Sequence, residues 1–386
     1  MTARTLPTLS PRARTGLEMT GLYVLSLGGA ILLSGLLVAL TGNSAFKVFG
    51  ALMDGAFLAP GRWGQTLVVA APMLLVALGM VIGVKAGFFN IGQEGQLLMG
   101  AMAMAWVGTR LAPINPGGEG VDPFIDPALW GPLLLLLGLA AGMAAGGAWA
   151  GIAAWMRFTR GVPEVISTLL LVFVAYQLSG FAILTRWLLQ DLDLDRPTRA
   201  VSTAALADGI KMPVIRLFGN EFNLGIVLAV ILAGLVAFGL ARTRWGFRLR
   251  MLGHNPFVAQ KVGVAATRTG TMALFLSGGL AGLAGAVMLT GGSSGFRVTT
   301  GFAQNFGWQG LLVALLARSR PMLAIPMAFL FAALRTGSGF LAATGVDRKI
   351  VDVVQGLLVL ALLIPPAVQF IRERRKAALA LAGEEA

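Results

Sequence analysis

Groups able to make or break covalent bonds are scarce in this sequence. Its 386 residues include no cysteine and a single histidine, His254. Thiol catalysis, iron–sulfur clusters, disulfide frameworks and ordinary zinc sites are therefore excluded or strained. His254 has no cysteine, second histidine or obvious carboxylate partner in its own segment, so a structural or docking role suits it better than catalysis. A phosphate-cradling loop needs Lys and Ser/Thr after its glycines, and no such stretch exists, so the chain binds no nucleotide by that route. The run Asp191-Leu-Asp193-Leu-Asp195 has calcium-loop spacing but lacks the glycine and distal Glu of that loop, which leaves a solvated face. No catalytic residue and no metal site is assigned.

What remains is hydrogen-bonding chemistry. Asn90-Ile91-Gly92-Gln93-Glu94-Gly95-Gln96-Leu97 and Asn305-Phe306-Gly307-Trp308-Gln309-Gly310-Leu311-Leu312 share Asn, two glycines and Leu at identical spacing. Asn90, Gln93, Gln96, Asn305, Trp308 and Gln309 can bond a neutral polar solute on its path, or merely glue helices together. Glu94 is the costly member, because a charge at bilayer depth costs a few kcal/mol on insertion scales and is rarely kept without reason. It either lines the path or sits at the interface as an N-terminal charge on the helix that follows.

These residues must be positioned by helices in lipid. The sequence is 56% hydrophobic and 12% charged, about half the charge of an ordinary soluble domain. Runs long enough to cross the bilayer recur from Gly21 nearly to the end. Spans are expected near 21–41, 65–84, 95–111, 129–156, 164–184, 222–241, 271–292, 306–317, 321–335 and 350–370, ten in all. The first exceeds the apolar core of a cleavable signal and reads as a retained helix. Gly138, Gly142 and Gly146, and likewise Gly278 and Gly282, recur at four-residue spacing as packing seams.

Sorting the 30 Lys and Arg residues against these spans places 18 on the side of both termini, and most acids on the other. The basic side is cytoplasmic. Residues 1–20 and 371–386 then read as cytoplasmic tails around one membrane domain, 21–370. On this topology the two Asn-x-Gly motifs run in opposite senses, the mark of an inverted repeat whose broken helices meet near the midplane. Its halves are approximately 65–184 and 271–370. The one acid placed well inside a span is Asp352, near an end. The long segment Thr185 to Glu221 reads as a loop or surface helix on the outer side.

The most basic cytoplasmic loop, 242–270, contains Asn255 as an N-cap, Pro256 at the first helical position and Gly263 as a C-terminal stop. That leaves about two turns of helix, too short to stand alone in water. Such a helix needs a partner surface.

Together these segments resemble the permeases of bacterial binding-protein-dependent ABC importers serving ribose, branched-chain amino acids and, in one branch, nucleosides. Asn90-Ile-Gly-Gln-Glu-Gly-Gln looks like the nucleoside branch, as do Gly161-Val-Pro-Glu164-Val-Ile-Ser167-Thr168-Leu-Leu-Leu and Gly307-Trp-Gln-Gly-Leu-Leu-Val-Ala-Leu-Leu-Ala. The likeness covers about residues 60 to 370. It departs at Val172-Phe173, where relatives often carry an Asn. The resemblance implies an all-α integral membrane permease with discontinuous helices, and adds Ser167 and Thr168 to the candidate path.

It also makes Leu249-Arg250-Met-Leu-Gly253-His254-Asn255-Pro256, with Ala259 and Gly263 in step, a coupling helix seated on a cytoplasmic ATPase. The implied partners are that ABC ATPase, which uses ATP and Mg, a second permease subunit that is commonly a different homologous chain, and an extracytoplasmic binding protein. The implied setting is the lipid of the bacterial cell (inner) membrane, with no nucleic acid and no cofactor on this chain. A nucleoside is the expected solute, with a sugar or other small solute as the alternative. An ion-coupled secondary transporter would also show inverted repeats, but would call for intramembrane acids or a proton relay.

Overall fold

The computed structural model describes residues 11–40, 42–111, 127–185, 187–191, 201–344 and most of 349–374. It divides into two compact units, residues 56–336 and residues 1–55 with 337–386. The termini at 1–10 and 375–386, the loop acids Glu119, Asp122 and Asp126, and Asp193, Asp195 and Asp347 lie outside the described residues.

The larger unit is built around two long apolar helices, α3 (Arg62–Lys85) and α10 (Ala266–Thr290). About four-fifths of the apolar window of each is buried, 78% and 83%, which makes them the centre of the bundle. Around them lie α4 (Gln93–Trp106), α5 (Pro127–Arg160), α6 (Glu164–Leu184), α7 (Gly225–Arg242), α11 (Phe306–Leu316) and α12 (Pro321–Gly337). Two short helices, α8 (Arg244–His254) and α9 (Pro256–Lys261), join α7 to α10. In contrast to the central pair, α6 and α7 leave most of their apolar windows uncovered, with 33% and 22% buried.

Small residues bring α10 against its neighbours, as the glycine spacing predicts. A Cβ on Gly282 would lie 2.2 Å from the Gly142 carbonyl oxygen, and one on Gly146 would lie 2.5 Å from that of Gly278. The two seams face each other, and backbone meets backbone where a larger residue would hold the helices apart. Gly282→Ala is expected to lower the thermal unfolding midpoint in detergent, because overpacking of this kind costs about 1–3 kcal/mol. Solubilised protein followed by fluorescence size-exclusion after heating measures it.

Six helices are long and apolar enough to span a membrane: α3, Gly131–Arg160 of α5, α6, α7, α10 and Pro321–Leu341. A bent pair, Val24–Leu40 with Ala45–Leu58, would be a seventh. The first nine expected spans each have a helix beneath them, and 350–370 is described only in part, but α4 has 14 residues and α11 has 11. At about 1.5 Å per residue neither crosses 30 Å of hydrocarbon alone. In the smaller unit, α1 (Pro11–Leu40) begins ten residues before the expected Gly21, and α2 (Ala45–Met53) was not anticipated. Glu18 and Arg372 pair there at 3.3 Å.

The segment after α6 differs from its expected form of loop or surface helix. It contains an antiparallel hairpin, β1 (Val214–Leu217) and β2 (Asn220–Asn223), with Leu217 opposite Asn220. The two turn residues, Phe218 and Gly219, have φ of 49° and 72°, the backbone a tight hairpin needs to match strand twist. Asn220 Oδ1 accepts the Gly64 N–H at 3.3 Å in the first turn of α3, and Asn223 Nδ2 donates to the Gly291 carbonyl at 3.0 Å beyond α10. Nearby, Asp191 pairs with Arg297 at 2.5 Å.

Candidate functional site

The two Asn-x-Gly motifs touch. After α3 ends at Lys85 the chain turns through Gly87, φ 84°, and the Phe88 N–H reaches back to the Gly83 carbonyl at 2.9 Å. Asn90 Oδ1 then accepts the Gly92 N–H at 3.1 Å, an Asx-type turn that launches α4. Asn90 and Gln96 exchange amide hydrogen bonds at 2.9 Å in both directions, and Asn90 Nδ2 also donates to Ser277 Oγ at 3.0 Å. Thr168 Oγ1 accepts the Ile91 N–H at 3.3 Å, fixing the turn to the start of α6. Asn90, Gln96 and Thr168 are buried and mutually satisfied, so in this conformation they hold helices together.

Glu94 makes the decisive contact. It is buried, and it lies in the first turn of α4, yet its carboxylate serves the other motif. Oε1 accepts the Asn305 N–H at 2.8 Å and Oε2 the Gly307 N–H at 2.5 Å. The Tyr176 hydroxyl donates to Oε1 at 3.1 Å. The first turn of α11 is thus capped by an acid from the opposite half of the expected repeat, where a helix start offers free N–H groups and partial positive charge. Close approach is enforced at Gly307, where a Cβ would fall 2.4 Å from the Glu94 nitrogen. Glu94 does stand in the first turn of the helix that follows it, as one of its two readings expects, but the N–H groups it accepts belong to α11.

The crossing lies well inside the bundle. Gln93 Nε2 donates to the Val76 carbonyl at 3.1 Å, and Gly310 packs against Val76. Val76 is nine residues from Lys85 and fourteen from Arg62, so both motifs lie about 14 Å and 21 Å from the two ends of α3. Glu94, which the expected boundaries leave just outside the third span, is buried inside the bundle, whereas Asp352, the one acid the sequence places well within a span, is exposed. The charge pattern missed this because Glu94 adjoins a turn that the hydropathy places at an interface, whereas residues 86–92 return the chain toward mid-helix. Gln93 Oε1 is buried without a hydrogen-bond partner.

Three further side chains complete the cluster, and sequence reasoning did not single them out. Arg335 of α12 donates to Gln309 Oε1 and to Gln304 Oε1, both at 2.9 Å, and its guanidinium lies 4.2 Å from the Phe306 ring centre. Tyr176 is the third; it and the candidate Trp308 are partly exposed, at 36% and 39%. Ser167, by contrast, is buried and donates to carbonyls of Glu164 and Pro163 on its own helix, away from the crossing.

A second site lies at the Lys85 end of α3. Thr243 caps α8, its hydroxyl accepting the Gly246 N–H at 3.1 Å. Asn255 caps α9, its Oδ1 accepting the Phe257 and Val258 N–H groups at 3.1 Å each, with Pro256 in the first turn and Gly263 at φ 81° beyond the end. Ala259 is buried beneath the helix, whereas His254, Asn255 and Pro256 are exposed with Phe257, 68%, and Val262, 60%. Arg250 is half-buried on α8. A Cβ on Gly253 would stand 2.3 Å from the Lys85 carbonyl oxygen and 3.0 Å from the Gly87 nitrogen. The loop is thereby pressed on the turn that leads, three residues later, to Asn90. Asn255→Ala is expected to cost about 1 kcal/mol of local stability, measured as faster amide exchange at Phe257 and Val258.

Comparison with known proteins decides what this arrangement is. The family described as the permease component of the branched-chain amino acid transport system matches residues 62–363. The chain belongs to this family. Similar relatives include the glucose ABC transporter permease protein TsgB13 of Haloferax volcanii, 30% identical and covering 89% of this chain and 87% of that one. The guanosine ABC transporter permease protein NupP of Bacillus subtilis is 28% identical, over 88% and 92% of the two chains. The nucleoside ABC transporter permease protein NupB of Lactococcus lactis is 29% identical over 80% of each. No solved structure matches the chain. The protein is a permease subunit of an ABC importer, a multi-pass protein of the cell membrane.

Proposed function

We propose that this permease carries a nucleoside or similar small polar solute along a path past the Glu94 crossing. The observation that carries the reading is the cap itself, in which a carboxylate of one broken helix holds the start of the other. Such a joint can be made and unmade as the two halves rock, which is what alternating access needs. Tyr176, Trp308 and Gln304 present aromatic faces and an amide beside it, suited to a planar, hydrogen-bonding solute. The guanosine and nucleoside relatives favour that class; the glucose relative keeps a sugar as the second reading.

In the same proposal ten membrane segments, counting the short α4 and α11, leave both termini cytoplasmic. The Asn255-capped helix then seats on a cytoplasmic ATPase, which hydrolyses ATP with Mg, and Phe257 and Val262 supply the apolar contact. A second, homologous permease chain and an extracytoplasmic binding protein complete the importer. An ion-coupled carrier is disfavoured because the Glu94 carboxylate at the crossing is occupied by backbone N–H groups rather than poised on a proton relay.

The test is uptake of labelled guanosine by cells carrying the whole importer, challenged with unlabelled nucleosides or glucose. Competition by nucleosides alone supports the reading. Competition by glucose alone replaces it with the sugar reading, and uptake that survives ATP depletion but not loss of the proton gradient overturns both.

A further inference from the structure

A cleft of about 570 Å³ opens where α7 meets α8, lined by Arg242, Arg244, Arg248 and Arg250 together with Phe247 and Gly263. No acid lines it, and the sequence contains no Asp or Glu between Glu221 and Asp347. Two further features make this charge costly as it stands. Arg244 and Arg248 are four residues apart on α8, where like charges destabilise a helix. Arg244 also opens that helix, whose first turn carries no acid, at the end where the backbone dipole favours an anion. A bound anion relieves both.

We infer that this cleft binds the headgroup phosphate of an anionic phospholipid. The position selects a lipid over a soluble acid. Arg242 is the last residue of the apolar span α7, so the guanidiniums stand where hydrocarbon gives way to headgroups, and Phe247 beside them is 53% exposed. Guanidinium forks suit phosphate oxygens, and basic pockets at the cytoplasmic ends of membrane helices are a recurrent way to hold anionic lipid. The cleft adjoins the loop on which the proposed ATPase seat depends, so the lipid would fix the angle at which α8 leaves the membrane.

The experiment is native mass spectrometry of the full-length chain in detergent, titrated with phosphatidylglycerol and with phosphatidylcholine of the same acyl chains. Wild type should retain phosphatidylglycerol at least about fivefold more, and the triple variant Arg242→Gln/Arg244→Gln/Arg248→Gln should retain the two equally. The single variants, and a triple Arg→Lys variant that keeps the charge, guard against loss of folding and should be intermediate. Equal retention by wild type, or an undiminished preference in the triple variant, overturns the inference. So does removal of the preference by millimolar inorganic phosphate, which would make this a site for free anions. A triple variant that keeps the lipid preference but no longer co-purifies with the ATPase would assign the arginines to that subunit instead.

Discussion

Glu94→Ala should reduce uptake at least about tenfold while the permease still reaches the membrane and retains its ATPase. The carboxylate accepts hydrogen bonds from Asn305, Gly307 and Tyr176, and alanine leaves the two backbone donors unpaired in a buried place, at about 1–3 kcal/mol each. That loss is local to the α4–α11 joint, because Asn90, Gln96 and Thr168 keep their own partners. Glu94→Gln separates shape from charge. Its single carbonyl can face Asn305 or Gly307 but not both, and its amide turns a donor toward donors, so uptake should fall less than in alanine but clearly below wild type. Transport assays on vesicles with matched permease content measure both. Wild-type uptake by Glu94→Ala would remove the joint from the mechanism.

Gly253→Val gives the second large effect, and of a different kind. Here ATP hydrolysis should continue while uptake falls to less than about one-tenth, since valine would drive its side chain into the Lys85 carbonyl and force the loop off the turn beneath it. The loop would still be present for the ATPase, but its movement would no longer reach residues 87–92. The ratio of solute imported to ATP consumed, in reconstituted importer, reads this directly. Loss of both activities together would mean that the loop itself had failed to form, and an unchanged ratio would show that Gly253 transmits nothing.

Much of this was legible in the sequence. Nine of the expected apolar runs lie over helices, because length and hydropathy fix a membrane helix almost without tertiary context. The cap at Asn255 with Pro256 and Gly263 is local chemistry and takes the expected form. So do the glycine seams, whose spacing alone puts Gly142 and Gly146 on the face that meets Gly278 and Gly282. What the sequence hid was long-range. Glu94 and Gly307 are 213 positions apart, and nothing in either motif says that the acid of one caps the other. Arg335 was hidden by the same limit, since a cation at a helix end normally faces headgroups, whereas this one turns to Gln304 and Gln309. The hairpin was missed because its register depends on packing over α3 and α10 rather than on alternation within eight residues.

The attachment of α3 at both ends bears on how the molecule moves. One end is gripped by Asn220 of the hairpin, the other by the Gly253 turn, and between them Pro72 withholds one backbone hydrogen bond. Held in this way, the helix behaves as a strut with a single built-in yield point. Load applied at one face of the membrane arrives at the other, and any flexure it undergoes on the way is concentrated one helical turn from Val76, beside the crossing.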